Sequence, residues 1–320
     1  MRHTTRLGGA LALALVLATP ALAEDTVKLA VGQRGNWDTA IPELGSKAGI
    51  FKKHGLNLEV TYTRGSGETL QPVISNSVDV GVAVGTLGAI AAFAKGAPVR
   101  IIGAEATGAA DYWYAKATSG IKTLKDTDGK TLAFSTSGSS THSVVLAFIK
   151  EFNLKAKPTS TGSPPATLTA VMSDQVDVGW AAPPFGLKEI DEGKITLVAK
   201  ATDAAIVKGQ TIRTIVANAE ALEKRKEVLA RFMQAWRETL DYMYSDNPQV
   251  IKDYAAFAGV SEPLAKRVRD EFFPKAMLQT DEIKGLDTLI PEAVSLKYIP
   301  APLSKDQMEQ LIQTKAFAKK

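Results

Sequence analysis

Two stretches of this chain repeat each other at a constant offset of 98 residues. The segment ETLQPVISNSVDVGVAVGTLG (68–88) matches ATLTAVMSDQVDVGWAAPPFG (166–186) at Thr69/Thr167, Leu70/Leu168, Val73/Val171, Ser75/Ser173, Val78/Val176, Asp79/Asp177, Val80/Val178 and Gly81/Gly179. Eight identities within thirteen positions exceed what composition produces. Each copy reads as a helix, a tight polar turn, the buried strand VDVG and a loop containing Gly or Pro. The chain therefore builds two similar α/β units.

Around the first copy, the strand patterns VKLAVG (27–32), NLEVTYT (57–63), VDVGVAV (78–84) and VRIIGAE (99–105) alternate with helical patterns over 38–52 and 68–76. Such alternation predicts a mostly parallel sheet with helices on its faces. The second unit repeats the plan with KTLAFST (130–136), a helix over 140–152, VDVGWAA (176–182) and ITLVAKA (195–201). After TIRTIV (211–216) the chain turns helical. One helix, capped by Asn218, carries Leu222, Leu229, Phe232, Met233, Trp236, Leu240 and Met243 along one stripe. The expected fold is two doubly wound α/β lobes joined by a two-segment hinge. Lobe 1 takes residues 24–106 and 213–320, including the C-terminal helices, and lobe 2 takes 107–212. Ligands of open α/β sheets sit beyond the carboxyl ends of the strands, which puts the default site between the lobes.

The N-terminus has a short basic head (Arg2, Arg6), an apolar run LGGALALALVLA and the exit Ala21-Leu-Ala23. This is the pattern of a cleavable signal peptide over 1–23, cut after Ala23, and it predicts export to the periplasm. About 297 of the 320 residues remain, enough for two lobes that each bury a core. Without Arg2 and Arg6 the 38 basic residues fall to 36 against 34 acidic ones, a net charge of +2. That is no footprint for nucleic acid. The chain has no cysteine, which removes disulfides, thiolate metal sites and cysteine nucleophiles together. With only His54 and His142 beyond residue 23, neither a metal centre nor histidine catalysis has much to draw on. No cofactor is expected.

The stretches VGQRGNWDTAIPELGSKAGIFKKHGLNLEV, GSGETLQPVISNSVDVGVAVGTLGAI and FSTSGSSTHSVVLAFIKEFNL together resemble the solute-binding proteins of ABC importers of the nitrate, sulfonate and taurine class. The resemblance runs from about Val27 to about Val216. It implies the type II periplasmic-binding architecture, closure of two lobes on a small solute, and delivery of that solute to an inner-membrane ABC permease with its ATPase. It also implies a monomer whose binding residues lie on loops after strands. The same superfamily includes enzymes that make the thiamine pyrimidine with a cysteine-rich motif; the absence of cysteine argues against that activity here.

Several residues sit where such a site is expected. Gln33 and Trp37 follow the first strand in GQRGNW, where a Trp either covers a ligand body or staples the start of a helix. In Arg64-Gly-Ser-Gly67, Ser66 and Gly67 precede a helix whose free N–H groups can hold an anion oxygen, or they form an ordinary flexible turn. Gly85 and Thr86 repeat that design after VDVGVAV. The run Phe134-Ser-Thr-Ser-Gly-Ser-Ser-Thr-His-Ser143 is a strand-to-helix turn. There Ser137, Ser139, Ser140 and Thr141 can donate to sulfonate, carboxylate or nitrate oxygens, or simply cap the helix. His142 lies two and three residues from Ser140 and Ser139, a spacing that does not pair side chains on a helix, and no G-x-S-x-G elbow is present. A serine hydrolase is therefore the least favoured reading.

Trp113 beyond the first crossing, and Trp180 with Pro183 after the second VDVG, suggest an aromatic-lined cleft, or lobe packing. Arg213 enters at the second crossing, where it can meet an anionic ligand or pair with Glu105. His54, followed by Gly55, reads as the structural end of a helix. The sequence thus points to a receptor for a small organic anion of the sulfonate, taurine or nitrate type. The rival solutes are a pyrimidine (a thiamine precursor) or an aromatic carboxylate.

Overall fold

The computed structural model describes residues 24–318. The expected signal peptide, 1–23, lies outside the described residues. Within them ten strands form: β1 Asp25–Gly32, β2 Leu56–Thr63, β3 Val80–Gly85, β4 Val99–Thr107, β5 Tyr112–Lys116, β6 Thr131–Phe134, β7 Lys157–Ser160, β8 Val178–Ala181, β9 Ile195–Lys200 and β10 Thr211–Asn218. They make two five-stranded sheets, ordered β2-β1-β3-β10-β4 and β7-β6-β8-β5-β9.

The two sheets share one plan. β1 pairs parallel with β2 and β3, and β6 pairs parallel with β7 and β8. In each sheet the fourth position is antiparallel to both neighbours: β10 between β3 and β4, and β5 between β8 and β9. These two strands adjoin the crossings, so each sheet is mixed where alternation alone predicts parallel pairing. β5, in the segment YWYAK, has no counterpart among the expected strands. β4 runs through Thr107 and β10 begins at Thr211, so both crossing strands reach slightly into the span assigned to lobe 2.

The first half carries helices α1 Ile41–Lys47, α2 Ile50–Lys53, α3 Ser66–Ile74 and α4 Thr86–Ala94. The single helix expected over 38–52 is divided because Gly49 adopts the left-handed region at φ 72° between α1 and α2. The second unit carries α5 Ser140–Glu151, α6 Pro164–Met172 and α7 Leu187–Asp191.

The repeated residues do the same work twice. Asp79 accepts the N–H of Lys28 on β1 at 2.9 Å, and Asp177 accepts the N–H of Thr131 on β6 at 2.9 Å. Thr69 meets Thr63 hydroxyl to hydroxyl at 2.8 Å, and Thr167 meets Thr161 at 2.6 Å. Asn76 and Asp174, also 98 apart, both take positive φ in the turn ahead of the strand. A Cβ on Gly81 would lie 2.8 Å from Val73 Cγ2, and one on Gly179 would lie 2.7 Å from Val171 Cγ2. The glycine of VDVG lets α3 press onto β3, and α6 onto β8, through the shared valine.

Helices α8 Ala219–Lys224, α9 Lys226–Met243, α10 Pro248–Ala258, α11 Glu262–Arg267, α12 Leu286–Ser295 and α13 Lys305–Leu311 complete the chain. The helix begun at the Asn218 cap is interrupted at Arg225, whose guanidinium turns in to Asp79 at 2.7 Å and also bonds the Thr26 carbonyl. The stripe of α9 is buried at Leu229, Phe232, Met233, Trp236, Leu240 and Met243. It packs on the first sheet's helices, with Phe232 stacked on Phe51 at 5.9 Å between centroids. Each such buried side chain contributes about 1.5–3 kcal/mol. Gln313 N–H donates to Ile101 O at 2.8 Å, tying the end of the chain to β4. His54 closes α2 and bonds Glu238 on α9 at 2.9 Å.

Candidate functional site

Arg213 stands in β10 where its pairing with β4 is irregular on both sides, a break of the kind that re-aims a side chain. Its buried guanidinium is the hub between the lobes. Nη1 donates to Asp38 Oδ2 at 2.6 Å, Nη2 donates to Asp111 Oδ2, and Nε donates to Ser140 Oγ at 3.1 Å. Asp38 begins the short helical turn after Trp37, Asp111 immediately precedes β5, and Ser140 opens α5. All four residues are buried.

A third carboxyl, Glu105 on β4, is 1 % exposed, and neither of its oxygens has a hydrogen-bond partner. Burial, reinforced by Asp38 and only partly offset by Arg213, holds Glu105 well above the usual carboxylate range. Burial also raises Asp111, against the lowering effect of Arg213. For Arg213, burial pulls the other way, but Asp111, Asp38 and Glu105 outweigh it and keep the guanidinium charged. Arg213 therefore pairs with Asp38 and Asp111, and not with Glu105 as the sequence suggested. Three of its five N–H groups are engaged in these bonds, and two carboxylates stand against its single charge. A bare anion brought beside Asp38 or Asp111 meets like charge, about 4 kcal/mol at 4 Å for an effective dielectric of 20.

The cavity beside this hub is lined by Gln33, Asn36, Ser66, Asp111, Ser140 and Trp180, among others, and encloses about 20 Å³, close to the room one water needs. Four lining atoms are buried without partners: Asn36 Oδ1, Ser66 Oγ, Asp111 Oδ1 and Trp180 Nε1. Two wall residues, Gln33 (φ 66°) and Ala83 (φ 59°), hold left-handed backbone that a side chain disfavours, the kind of strain that clusters at ligand clamps. A larger groove of about 870 Å³ lies beyond Phe185, between Pro164, Leu168 and Pro184 on one side and Val260, Leu264 and Arg267 on the other. The Phe185 ring closes on Gly35, where a Cβ would lie 2.8 Å from Cζ.

The structure brings Gln33, Ser66, Ser140, Thr141, Trp180 and Arg213 to this cavity. The other residues singled out from sequence lie elsewhere. Trp37 is fully buried, its Nε1–H on Tyr244 Oη at 3.0 Å and its ring edge-on to Tyr254. Trp113 points into the second sheet's core, donating to Ala133 O at 2.8 Å against Phe148. The cleft's aromatic lining thus reduces to Trp180, although Trp113 and Trp180 are paired in register across β5 and β8: the Trp113 indole is held by Ala133 O and Phe148 instead. Pro183 is buried in the turn after β8, outside the cavity lining.

The hydroxyl-rich turn divides its labour. Ser139 Oγ caps α5 by accepting the His142 N–H at 3.1 Å, and it pairs with Thr141, which in turn accepts the Ser135 N–H at 3.0 Å. Ser137 is exposed. Gly67 N–H is taken by Thr136 Oγ1 at 3.0 Å, and a Cβ on Gly67 would sit 2.0 Å from Ser137 O. Gly85 presses on the Ser139–Ser140 backbone in the same way, and Thr86 Oγ1 donates to Thr211 O at 2.7 Å. These positions close the lobes on each other. Asp38 was missed in the sequence because NWDT reads as the start of a helix, and its partner lies 175 residues away.

Two α/β lobes of like topology, crossed twice by the chain and shut on a polar cavity, define the periplasmic-binding-protein fold. The NMT1/THI5 like family model matches residues 44–250, more than half the chain, and the chain belongs to that family. No curated protein matches it in sequence. Among solved structures, the aliphatic sulphonate binding protein SsuA of Escherichia coli superposes with a TM-score of 0.68 at 20% identity, covering 90% of this chain and 92% of that one. The MOPS-bound alkanesulfonate-binding SsuA of Xanthomonas axonopodis pv. citri gives 0.69 at 17%, covering 85% and 91%. The nitrate-binding protein NrtA of Synechocystis PCC 6803 gives 0.72 at 12%, covering 92% and 87%. At these identities the likeness is one of fold.

Proposed function

We propose that this protein is the periplasmic solute-binding component of an ABC importer. It takes a small organic anion of the aliphatic sulfonate, taurine or nitrate type between its lobes and presents it, as a monomer, to an inner-membrane permease with its ATPase. The observation that carries this reading is the convergence of donors from both lobes on one closed cavity. Ser66 Oγ at the head of α3 and Trp180 Nε1 on β8 face it without partners. The Ser140 hydroxyl, which accepts from Arg213, keeps its own proton to give. Donors without partners in a buried site are costly until an acceptor arrives.

At about 20 Å³ the cavity has room for little more than a water, so taking any solute of these classes requires the lobes to part further. A serine hydrolase is disfavoured by the hydrogen bonds themselves. Ser139 is bound to the His142 backbone, Ser140 to Arg213, and His142 Nδ1 accepts from Gly138 N–H at 3.3 Å and faces Tyr298 Oη at 3.1 Å. No serine meets the imidazole.

The test is thermal unfolding of the mature protein with short sulfonates, carboxylates and nitrate, each with and without an amine where one exists, beside pyrimidines and aromatic acids. A solute at about 100 times its dissociation constant stabilises by about 2.7 kcal/mol, read as a raised midpoint. A panel in which only pyrimidines or aromatic acids act would transfer the assignment to them.

A further inference from the structure

We infer that residues 280–298 form a strap across the hinge that holds the lobes closed from outside the solute cavity, with the Tyr298 hydroxyl as its catch on lobe 2. The inference stands apart from the identity of the solute.

The strap starts beside both crossings. Ala104 N–H on β4 donates to Thr280 O at 2.9 Å, Thr211 N–H on β10 donates to Lys284 O at 3.1 Å, and Lys284 N–H donates back to Thr211 Oγ1 at 2.9 Å. Gly285, at φ 74°, then turns the chain into α12 against Gln210, where a Cβ would lie 2.6 Å from Cγ. α12 lies on α4 of lobe 1 and on the short helical turn Ala205–Val207 of lobe 2. Its buried Leu289 shares the seam with Leu87 of lobe 1 and with Val144 and Ile206 of lobe 2.

The end of the helix aims the catch. Tyr298 N–H donates to Ala293 O at 2.8 Å and Lys297 N–H to Val294 O at 3.0 Å, the paired bonds of a Schellman turn, with Lys297 at φ 60° where glycine is usual. A side chain in that region persists only where the surroundings enforce it. The turn lays Tyr298 on α5 of lobe 2, its Oη 3.0 Å from Ser143 Oγ and 3.1 Å from His142 Nδ1. Both atoms can accept its proton: Ser143 gives its own to Ser139 O, and Nδ1 already accepts the Gly138 N–H. Further along α5, Lys150 Nζ donates to Ser295 Oγ and stands 3.7 Å from Glu292 Oε2. None of these residues lines the solute cavity, so the strap draws the lobes together whether or not a solute is present. Because the lobes must part to admit a solute, it weighs against both entry and release.

The experiment is hydrogen exchange of the mature, solute-free protein, followed residue by residue by NMR. Gly67 N–H, in the first turn of α3, donates across the lobes to Thr136 Oγ1, so its exchange rate rises in proportion to the open population, however small that is. Val82 on β3 and Leu132 on β6, in the two sheets, serve as controls for unfolding. Tyr298→Phe keeps the ring and removes only the hydroxyl. It should speed exchange at Gly67 by about 2- to 10-fold, the weight of one hydrogen bond, and leave Val82 and Leu132 unchanged. Adding Lys150→Ala should speed Gly67 further. An unchanged rate at Gly67 in the double variant overturns the inference. Equal acceleration at Gly67, Val82 and Leu132 overturns it too, because the contact would then support folding and not closure. Neither result bears on the solute panel, which tests the receptor reading separately.

Discussion

Arg213 and Ser140 meet at 3.1 Å across the two lobes, Nε–H donating to Oγ, although 73 residues separate them. The same guanidinium holds Asp38 from lobe 1 and Asp111 at the crossing. Closure of the lobes and neutralisation of buried charge are thus one event, centred on a single side chain.

Removing that side chain should be severe. Arg213→Ala leaves Asp38 and Asp111 buried without a countercharge, and the expected loss is about 3–5 kcal/mol, measured by urea denaturation. The triple variant Arg213→Met, Asp38→Asn, Asp111→Asn should recover most of it, because the cost lies in the stranded charges. A triple variant as unstable as the single one would contradict this account.

Gly88 separates folding from closure. It lies in the first turn of α4, and a Cβ there would stand 2.3 Å from Gly138 O on the opposite lobe. Gly88→Ala favours the helix by up to about 1 kcal/mol while blocking the closed approach. The variant should fold normally, show a larger radius of gyration by small-angle scattering, and lose solute binding. Unchanged affinity would show that the lobes need not come so close.

Gly179→Ala tests the repeat. Its Cβ would lie 2.7 Å from both the Tyr114 ring and Val171 Cγ2, and overpacking of this kind costs about 1–3 kcal/mol. Hydrogen exchange should speed up across β5, β6 and β8, with β1 and β3 little affected. Uniform acceleration in both lobes would mean that they unfold as one unit.

His142 sets a pH dependence. Burial lowers its pKa from the ordinary 6.5, and its Nδ1 accepts the Gly138 N–H, so the folded protein carries the imidazole neutral. Below about pH 6.5 the unfolded chain binds a proton that the folded one does not, and stability falls as pH drops toward the folded value. Glu105 has the opposite sign: its raised pKa means that the folded state holds a proton released from the unfolded chain above about pH 4.5, and its contribution is lost as pH rises. His142→Gln should flatten the acid limb of the stability profile, measured by chemical denaturation from neutral pH to about pH 5. A profile unchanged by the substitution would rule out the imidazole as its source.

The elements that could be read in the chain are those whose reasons are local. Thr69 and Thr167, Val73 and Val171, Asp79 and Asp177, and Gly81 and Gly179 recur because a helix packed on a strand needs the same few contacts each time. β5 escaped notice because YWYAK is short and follows a crossing, and the break at Arg225 because it depends on Asp79, far back in the chain. Side-chain direction was harder still. Three of the four tryptophans stand near strand ends or crossings, yet only Trp180 faces the cavity. Trp37 and Trp113 turn to Tyr244 and Ala133.

Sequence alone determined the paired α/β modules, the strand and helix types and the concentration of polar residues at strand ends, because periodicity and turn chemistry act over a few residues. Tertiary structure alone decided that Arg213 is spent on Asp38 and Asp111, that Gly67 and Gly85 seal the lobes, and that Asp111 Oδ1, Asn36 Oδ1, Ser66 Oγ and Trp180 Nε1 share one small cavity. Those outcomes depend on which groups meet after more than a hundred intervening residues have folded, and charge pairing in a buried site is settled by distance and desolvation, to which the order of residues is blind.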